Sequence, residues 1–508
     1  MIIQDSGIYL GKADEQHCLL LKYANRHGLI AGATGTGKTL SLQGLVEGFS
    51  QAGVPVFIAD VKGDLSGLAV AGVDKQPLVE RAKQIGFALT YQPCPVIFWD
   101  VFGKNGHPMR TTISEMGPIM LSNLLELNDT QEGVLNIAFA VADAEGLLLL
   151  DLDDLRSMLT HISENAGQYS SQYGNISATS VGAIMRGLLT IEAQGGKQLF
   201  GEPALSITDL MRVAPNGQGA VNILSAQTLM QTPKLYSMLL LWLLSELFED
   251  LPEVGDMDKP KLVFFFDEAH LLFKDAPKAL IEKIEQLVRL IRSKGVGVYF
   301  ITQNPADIPP NVLGQLSNRV QHALRAFTPQ DQKGVKAAAQ TFRPNPSFKT
   351  EEAITILAVG EALVSVLDIK GTPTIVQKTL MRPPLSLVGE ISAAQRDIVV
   401  AQSPVRNIYD QLVNRESAYE MLNVKVQKST ASDAGGIWGA ISNAASGMVG
   451  SSNAQPATNY PAHNSTPKPR GREPESMIVT MTKSVVRAAG SQIGRQVVRG
   501  LLGAMLKR

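Results

Sequence analysis

One run near the start of the chain, Gly32-Ala33-Thr34-Gly35-Thr36-Gly37-Lys38-Thr39, combines the residue types that phosphate chemistry demands. Glycines let the backbone turn its N–H groups inward around an anion, and a helix opening at Lys38 adds its positive dipole. Lys38 is placed to reach the β- and γ-phosphates of a nucleotide, and the Thr39 hydroxyl to ligate Mg2+. An accidental glycine-rich turn has no reason to follow a strand and open a helix, as this run does. The whole segment, Gly32 to Thr39, is therefore read as a phosphate-binding loop.

A second constellation ends the apolar run Leu262-Val-Phe-Phe-Phe with Asp267-Glu268. A carboxylate at the end of a buried strand can hold Mg2+ through its water shell, the role expected of Asp267. Glu268, one residue on, can accept a proton from an attacking water. Such a base activates water rather than a substrate hydroxyl, which speaks for hydrolysis and against a small-molecule kinase. Asp267-Glu-Ala-His270 also spells the acidic box of a different helicase superfamily, but the chain has no arginine-rich final motif to go with it. Gln303, at the end of Gly297-Val-Tyr-Phe-Ile-Thr, can bond the γ-phosphate or the water; it can also be a turn residue before Pro305. Asp60-Val-Lys62-Gly-Asp64 follows another strand, where Asp60 and Lys62 line a nucleotide pocket, line a subunit interface or close a turn.

These residues need rigid elements behind them. His27–Ala31, Val54–Asp60, Pro95–Val101, Leu262–Asp267, Gly297–Thr302, Arg319–Phe327, Glu361–Leu367 and Thr374–Leu380 read as strands, and Lys38–Ala52 as a helix. The unbroken apolar run before Asp267 marks the centre of a parallel sheet. Leu280, Ile284, Leu287, Val288 and Ile291 share one face of the helix that follows. Gly7–Leu10 and Cys18–Leu21 make an N-terminal strand hairpin over residues 1–30. An α/β core spans 31–385, with a helical insertion at about 114–248 whose one strand-like run is Gly219–Leu224. Pro383-Pro384 is expected to end the core, with a helical extension over 386–428. The Ser-, Gly-, Ala- and Pro-rich stretch 429–475 reads as a disordered linker. Residues 476–508 lack any acidic residue, and Lys483, Arg487, Arg495 and Arg499 fall on one stripe of a basic amphipathic helix.

The motif residues resemble the HerA-like helicases within the FtsK–HerA group of motor ATPases, in particular their bacterial YjgR-type branch. The resemblance rests on Asn25–Thr39, Phe57–Gly67, Asp267–Phe273 and Lys294–Pro309, and covers about residues 5–385. It implies an α/β, RecA-like P-loop NTPase core, a hexameric ring with ATP between subunits, and ATP-driven movement along double-stranded DNA. The family's archetype carries a β-barrel ahead of its P-loop; only residues 1–31 precede it here, so that barrel's roles are not carried over. Such rings complete each site with an arginine from the neighbouring subunit. Arg292 is the first choice, with Arg289, Arg319 and Arg325 as further candidates, and Glu285 offers Arg289 a simple intrahelical ion pair instead. The same fold also serves nucleoprotein- or protein-transfer motors and slow, nucleotide-switched scaffolds.

The composition is compatible with these expectations. At 508 residues, 44% hydrophobic and 18% charged, the chain has room for two or three domains and a large core. A net charge of −1 gives no global nucleic-acid signature, but a ring needs basic residues only where it lines its pore. Two cysteines, Cys18 and Cys94, exclude a disulfide framework and point to a cytoplasmic location. The first residues lack a signal-peptide pattern, and Leu235–Phe248, interrupted by Glu246, reads as a buried helix rather than a membrane span. The basic helix at 476–508 is suited to DNA phosphates, to the ring itself or to peripheral membrane contact.

Overall fold

The structure, a computed structural model, describes residues 2–4, 6–255, 257–274 and 278–424. The expected linker 429–475 and basic helix 476–508 lie outside the described residues. One 13-stranded sheet organises the rest. In chain order its strands are β1 (Ile3–Gln4), β2 (Gly7–Lys12), β3 (Gln16–Leu20), β4 (Gly28–Ala31), β5 (Val56–Asp60), β6 (Val96–Asp100) and β7 (His107–Pro108). They continue as β8 (Val221–Ser225), β9 (Leu262–Phe266), β10 (Val296–Thr302), β11 (Asn318–Gln321), β12 (Glu361–Ser365) and β13 (Gln377–Met381). The spatial order is β1-β2-β13-β12-β11-β4-β10-β9-β5-β8-β6-β7, with β3 on β2. From β11 to β7 every pairing is parallel; β12, β13, β2, β1 and β3 extend the other side antiparallel. The N-terminal hairpin thus joins the same sheet through β2 and β13.

Both faces of the parallel half are covered, so its strands are apolar throughout. Within β9, Phe264 and Phe266 join the core on one face, and Val263 and Phe265 the core on the other. Helix Lys38–Gln51 covers the second face through Leu42, Leu45, Val46 and Phe49. Helices Pro233–Asp250 and Lys278–Ile291 cover the first. Helix Pro233–Asp250 is buried almost all round, and no helix of the described residues is long and apolar enough to cross a membrane.

Three sequence expectations change. Helical insertion over 114–248 is too long, because β8 lies between β5 and β6 and helix Pro233–Asp250 packs on the sheet; the inserted helices run from Ile113 to Leu210. Asn222 explains the weak signal of β8. It interrupts the apolar run, yet it is fully buried, accepting from Trp99 Nε1 at 3.0 Å and donating to the Val56 and Leu210 carbonyls at 3.1 and 2.9 Å. The strand expected over Arg319–Phe327 stops at Gln321. Beyond it a capping box, Thr328 with Asp331, opens helix Pro329–Gln340, which with Thr350–Ile356 forms a small satellite core. Finally, Pro383-Pro384 does not end the core. Val405, Tyr409, Ala418 and Leu422 return to the main core, and the Tyr409 carbonyl accepts from Arg110 Nη1 at 2.8 Å.

Candidate nucleotide site

Parallel strands put the chemistry at one edge. The carboxyl ends of β4, β5, β9 and β10 carry Gly32, Lys62, Asp267 and Gln303 side by side. β10 separates β4 from β9, so the acidic pair stands two strand spacings, about 10 Å, from the P-loop strand. A gap of that width has room for a phosphate group and a water.

The P-loop is held from behind. Gly32 has φ 152°, and a Cβ there would meet the Cβ of His322 at 2.5 Å. His322 is fully buried, with Nε2 2.9 Å from Ser41 Oγ and Nδ1 2.9 Å from the Glu361 carbonyl. Only an Nδ1–H can bond a carbonyl, so Nε2 accepts from Ser41; burial, which lowers its pKa to about 4, keeps the ring neutral. Gly37, at φ 111°, caps helix Lys38–Gln51, and the Gly360 N–H bonds the Thr36 carbonyl at 3.1 Å. His322 and Gly360 lie about three hundred residues from the loop they support, and no sequence motif announces them. Lys38 folds back over the loop, donating to the Gly32 and Ala33 carbonyls at 2.5 and 3.0 Å.

At β9, Asp267 is 8% exposed, and burial raises its carboxyl to about 6, with Glu268 adding to the rise. A desolvated carboxylate of this kind gains from a cation. Glu268 takes a left-handed backbone, φ 48° and ψ 49°, which costs a non-glycine residue about 1 kcal/mol or more and is characteristic of functional sites. Its carboxylate faces Lys62 Nζ at 2.6 Å, Gln303 Nε2 at 3.3 Å to both oxygens, and His270 Nδ1 at 3.4 Å. Burial works to raise the Glu268 pKa, but Lys62, Gln303 and His270 outweigh it and the net shift is downward. Gln303 also contacts Thr34 of the P-loop at 3.5 Å. A cleft of about 420 Å3 opens here, walled by Thr34, Gln303, Arg325 and Phe327 among others.

Asp60 and Lys62 part company. Asp60 accepts backbone N–H groups from Lys62, Gly63 and Leu65 at 3.2, 2.7 and 3.2 Å and is 2% exposed, so it closes the turn. Lys62 reaches the site. Among the arginines, Arg319 is committed to structure, its guanidinium bonding the Leu316, Leu313 and Thr341 carbonyls at 2.8, 2.9 and 3.1 Å. Glu285 accepts from Asn311 at 3.0 Å. Arg292 lies before β10, at the amino edge of the sheet beside buried His27, opposite the P-loop of its own chain. Thus Lys38, Asp267, Glu268 and Gln303 converge and Arg292 does not.

A glycine-lined cradle separated by one strand from a buried acidic pair defines a RecA-like P-loop nucleoside triphosphatase. ATP and Mg2+ suit the residue types present: the glycine-rich loop and Lys38 for the phosphates, the Thr39 hydroxyl and the buried Asp267 carboxyl for the cation. The chain belongs to the HerA-like helicase family, whose model, described as Helicase HerA-like C-terminal, matches residues 6–508. Over 117 residues it is 29% identical to the Probable helicase MJECL08 of Methanocaldococcus jannaschii, a match covering 21% of each chain. About a fifth of that relative's length is therefore shared. In fold it is similar to the bacterial conjugative coupling protein TrwB, at 15% identity and a TM-score of 0.50 over 73% of this chain and 88% of that one. VirB4 of Thermoanaerobacter pseudethanolicus aligns at 15% identity and a TM-score of 0.47, over 78% of this chain and 99% of that one.

Proposed function

We propose that this chain is an ATP-hydrolysing ring motor, most consistent with a translocase or helicase acting on double-stranded DNA. The observation that carries the hydrolytic part is Glu268, a carboxylate on a strained backbone, bonded by Gln303 and set across one intervening strand from the P-loop. P-loop N–H groups and Lys38 bind the phosphates, and Gln303 orients the water through the same amide that touches Glu268. Glu268 takes the proton of that water. Thr39 and Asp267 would hold Mg2+, which neutralises charge on the phosphates when bound.

Two features support a ring. Arg292 lies at the sheet edge opposite its own P-loop, so any part it takes at a nucleotide would be at a neighbour's site, and Arg325 stands at the open side of the cleft. The family supplies the expectation of DNA. Lys38→Ala should abolish nucleotide binding and turnover, and double-stranded DNA should stimulate the wild-type ATPase. Equal turnover with and without DNA, but stimulation by a protein partner, would shift the reading to a transfer motor. A strict monomer in light scattering, with ATPase independent of protein concentration, would remove the ring.

A further inference from the structure

Two lysines at the P-loop edge of the sheet, Lys38 and Lys62, are engaged with oxygens of the protein itself. Lys38 bonds the P-loop carbonyls at 2.5 and 3.0 Å, and Lys62 bonds Glu268 at 2.6 Å. Lys38 holds the Ala33 carbonyl and Lys62 holds Glu268, whose carboxylate Gln303 bonds; Ala33, Thr34 and Gln303 line the cleft, so the two ammonium groups sit behind one wall of it and an anion there would draw on both.

The Lys62–Glu268 pair also conflicts with hydrolysis. An ammonium at 2.6 Å stabilises the negative charge of the carboxylate it holds and so weakens that group as a base toward water. Departure of Lys62 leaves Glu268 the stronger base. The Lys62 side chain is 47% exposed whereas Glu268 is 8% exposed, so the lysine is the member able to swing. The turn that carries it does not need the pair, because Asp60 already clasps the backbone N–H groups of Lys62, Gly63 and Leu65. A purely structural purpose for the contact is therefore weak.

We propose that Lys62 is a terminal-phosphate ligand that alternates between Glu268 and the γ-phosphate, freeing the base only when a triphosphate is bound. The inference rests on the nucleotide-hydrolase reading above. A γ-phosphate carries more negative charge than one carboxylate and lies where Lys38 and Lys62 converge; a diphosphate lacks that group and leaves Lys62 on Glu268. Lys62 then acts on the base as a positioning residue, and its exchange couples the filling of the site to water activation.

The test is calorimetric binding of AMP-PNP and of ADP, each with Mg2+, to the full chain and to Lys62→Ala, Lys62→Arg, Glu268→Gln and the Lys62→Ala/Glu268→Gln double variant. Lys62→Ala should weaken AMP-PNP about tenfold while leaving ADP within about twofold, and Lys62→Arg should restore most of the preference. Glu268→Gln releases the lysine and should tighten AMP-PNP severalfold, a gain absent from the double variant. Thermal melts confirm that each variant is folded. Equal weakening of both nucleotides, or no change in either, would overturn the role of Lys62. Failure of the wild type to bind any nucleotide would instead overturn the reading of the P-loop.

Discussion

Two glutamate–cation pairs in this molecule look alike on paper and do opposite jobs. Glu47, on the P-loop helix, is 2% exposed. One of its oxygens accepts from the Leu385 and Ser386 N–H groups, each at 2.8 Å, and from Ser386 Oγ at 2.6 Å. The other takes Arg382 Nη1 at 3.0 Å, and that guanidinium also bonds the carbonyls of Tyr9, Pro383 and Gly44. Both carboxylate oxygens and four of the five guanidinium N–H groups are engaged, and the result ties helix Lys38–Gln51 to the segment leaving β13. Glu268 has a half-exposed lysine, an amide at 3.3 Å and an imidazole at 3.4 Å. Saturation makes the first pair a rivet. Incomplete, replaceable partners suit the second to the working role proposed for it, because each can be exchanged for substrate or water at little cost.

Glu268→Gln should give the largest effect of the set, lowering ATP turnover about 10²- to 10⁴-fold while shifting the unfolding midpoint little. Near-normal turnover would show that the exchangeable pair holds no base. Glu47→Ala is the mirror experiment. It strands a buried guanidinium and should cost about 3–5 kcal/mol in urea unfolding, with the folded fraction keeping its ability to bind nucleotide. Unfolding at the wild-type urea concentration would mean that saturation is not what makes a rivet.

A smaller effect is expected at the wall behind the P-loop. Gly32→Ala forces a Cβ toward His322 in a left-handed backbone, and His322 is held at both ring nitrogens. Stability should fall by about 1–2 kcal/mol and nucleotide affinity with it. Unchanged binding in a calorimetric titration would show that the loop moves freely.

The smallest concerns His27 at the opposite edge of the sheet, where burial lowers its pKa from the usual 6.5 to about 4. The folded state refuses a proton that the unfolded chain accepts. The contribution is intact above pH 6.5 and is lost as pH falls toward 4, about 1 kcal/mol being gone at pH 5.5. His27→Asn, which tolerates the left-handed φ of 58°, should flatten that acid limb in pH-dependent melts; an unaltered limb would assign it to other groups.

Much of this was legible along the chain. Gly32–Thr39 and the apolar run into Asp267-Glu268 are local patterns, because a phosphate cradle and a buried strand end are each built from consecutive residues. The strand β9 and the helix Lys38–Gln51 follow from those same runs. Strand β8 was faint because buried Asn222 breaks its hydrophobic signal, and its amide is satisfied only by Trp99, Val56 and Leu210 from elsewhere. The return of Tyr409 and Leu422 to the core was hidden because their segment is polar around them.

Local sequence thus determined which chemical groups this protein possesses and which ends of which strands bear them. Tertiary structure alone decided how they meet: that Lys62 faces Glu268, that His322 backs Gly32, that Asp60 and Arg319 are spent on carbonyls and N–H groups, and that Arg292 stands at the far edge. The physical reason is sheet order. Lys62 and Glu268 are brought together by the pairing of β5 with β9, and such pairing is a choice among distant strands that no short run of residues encodes.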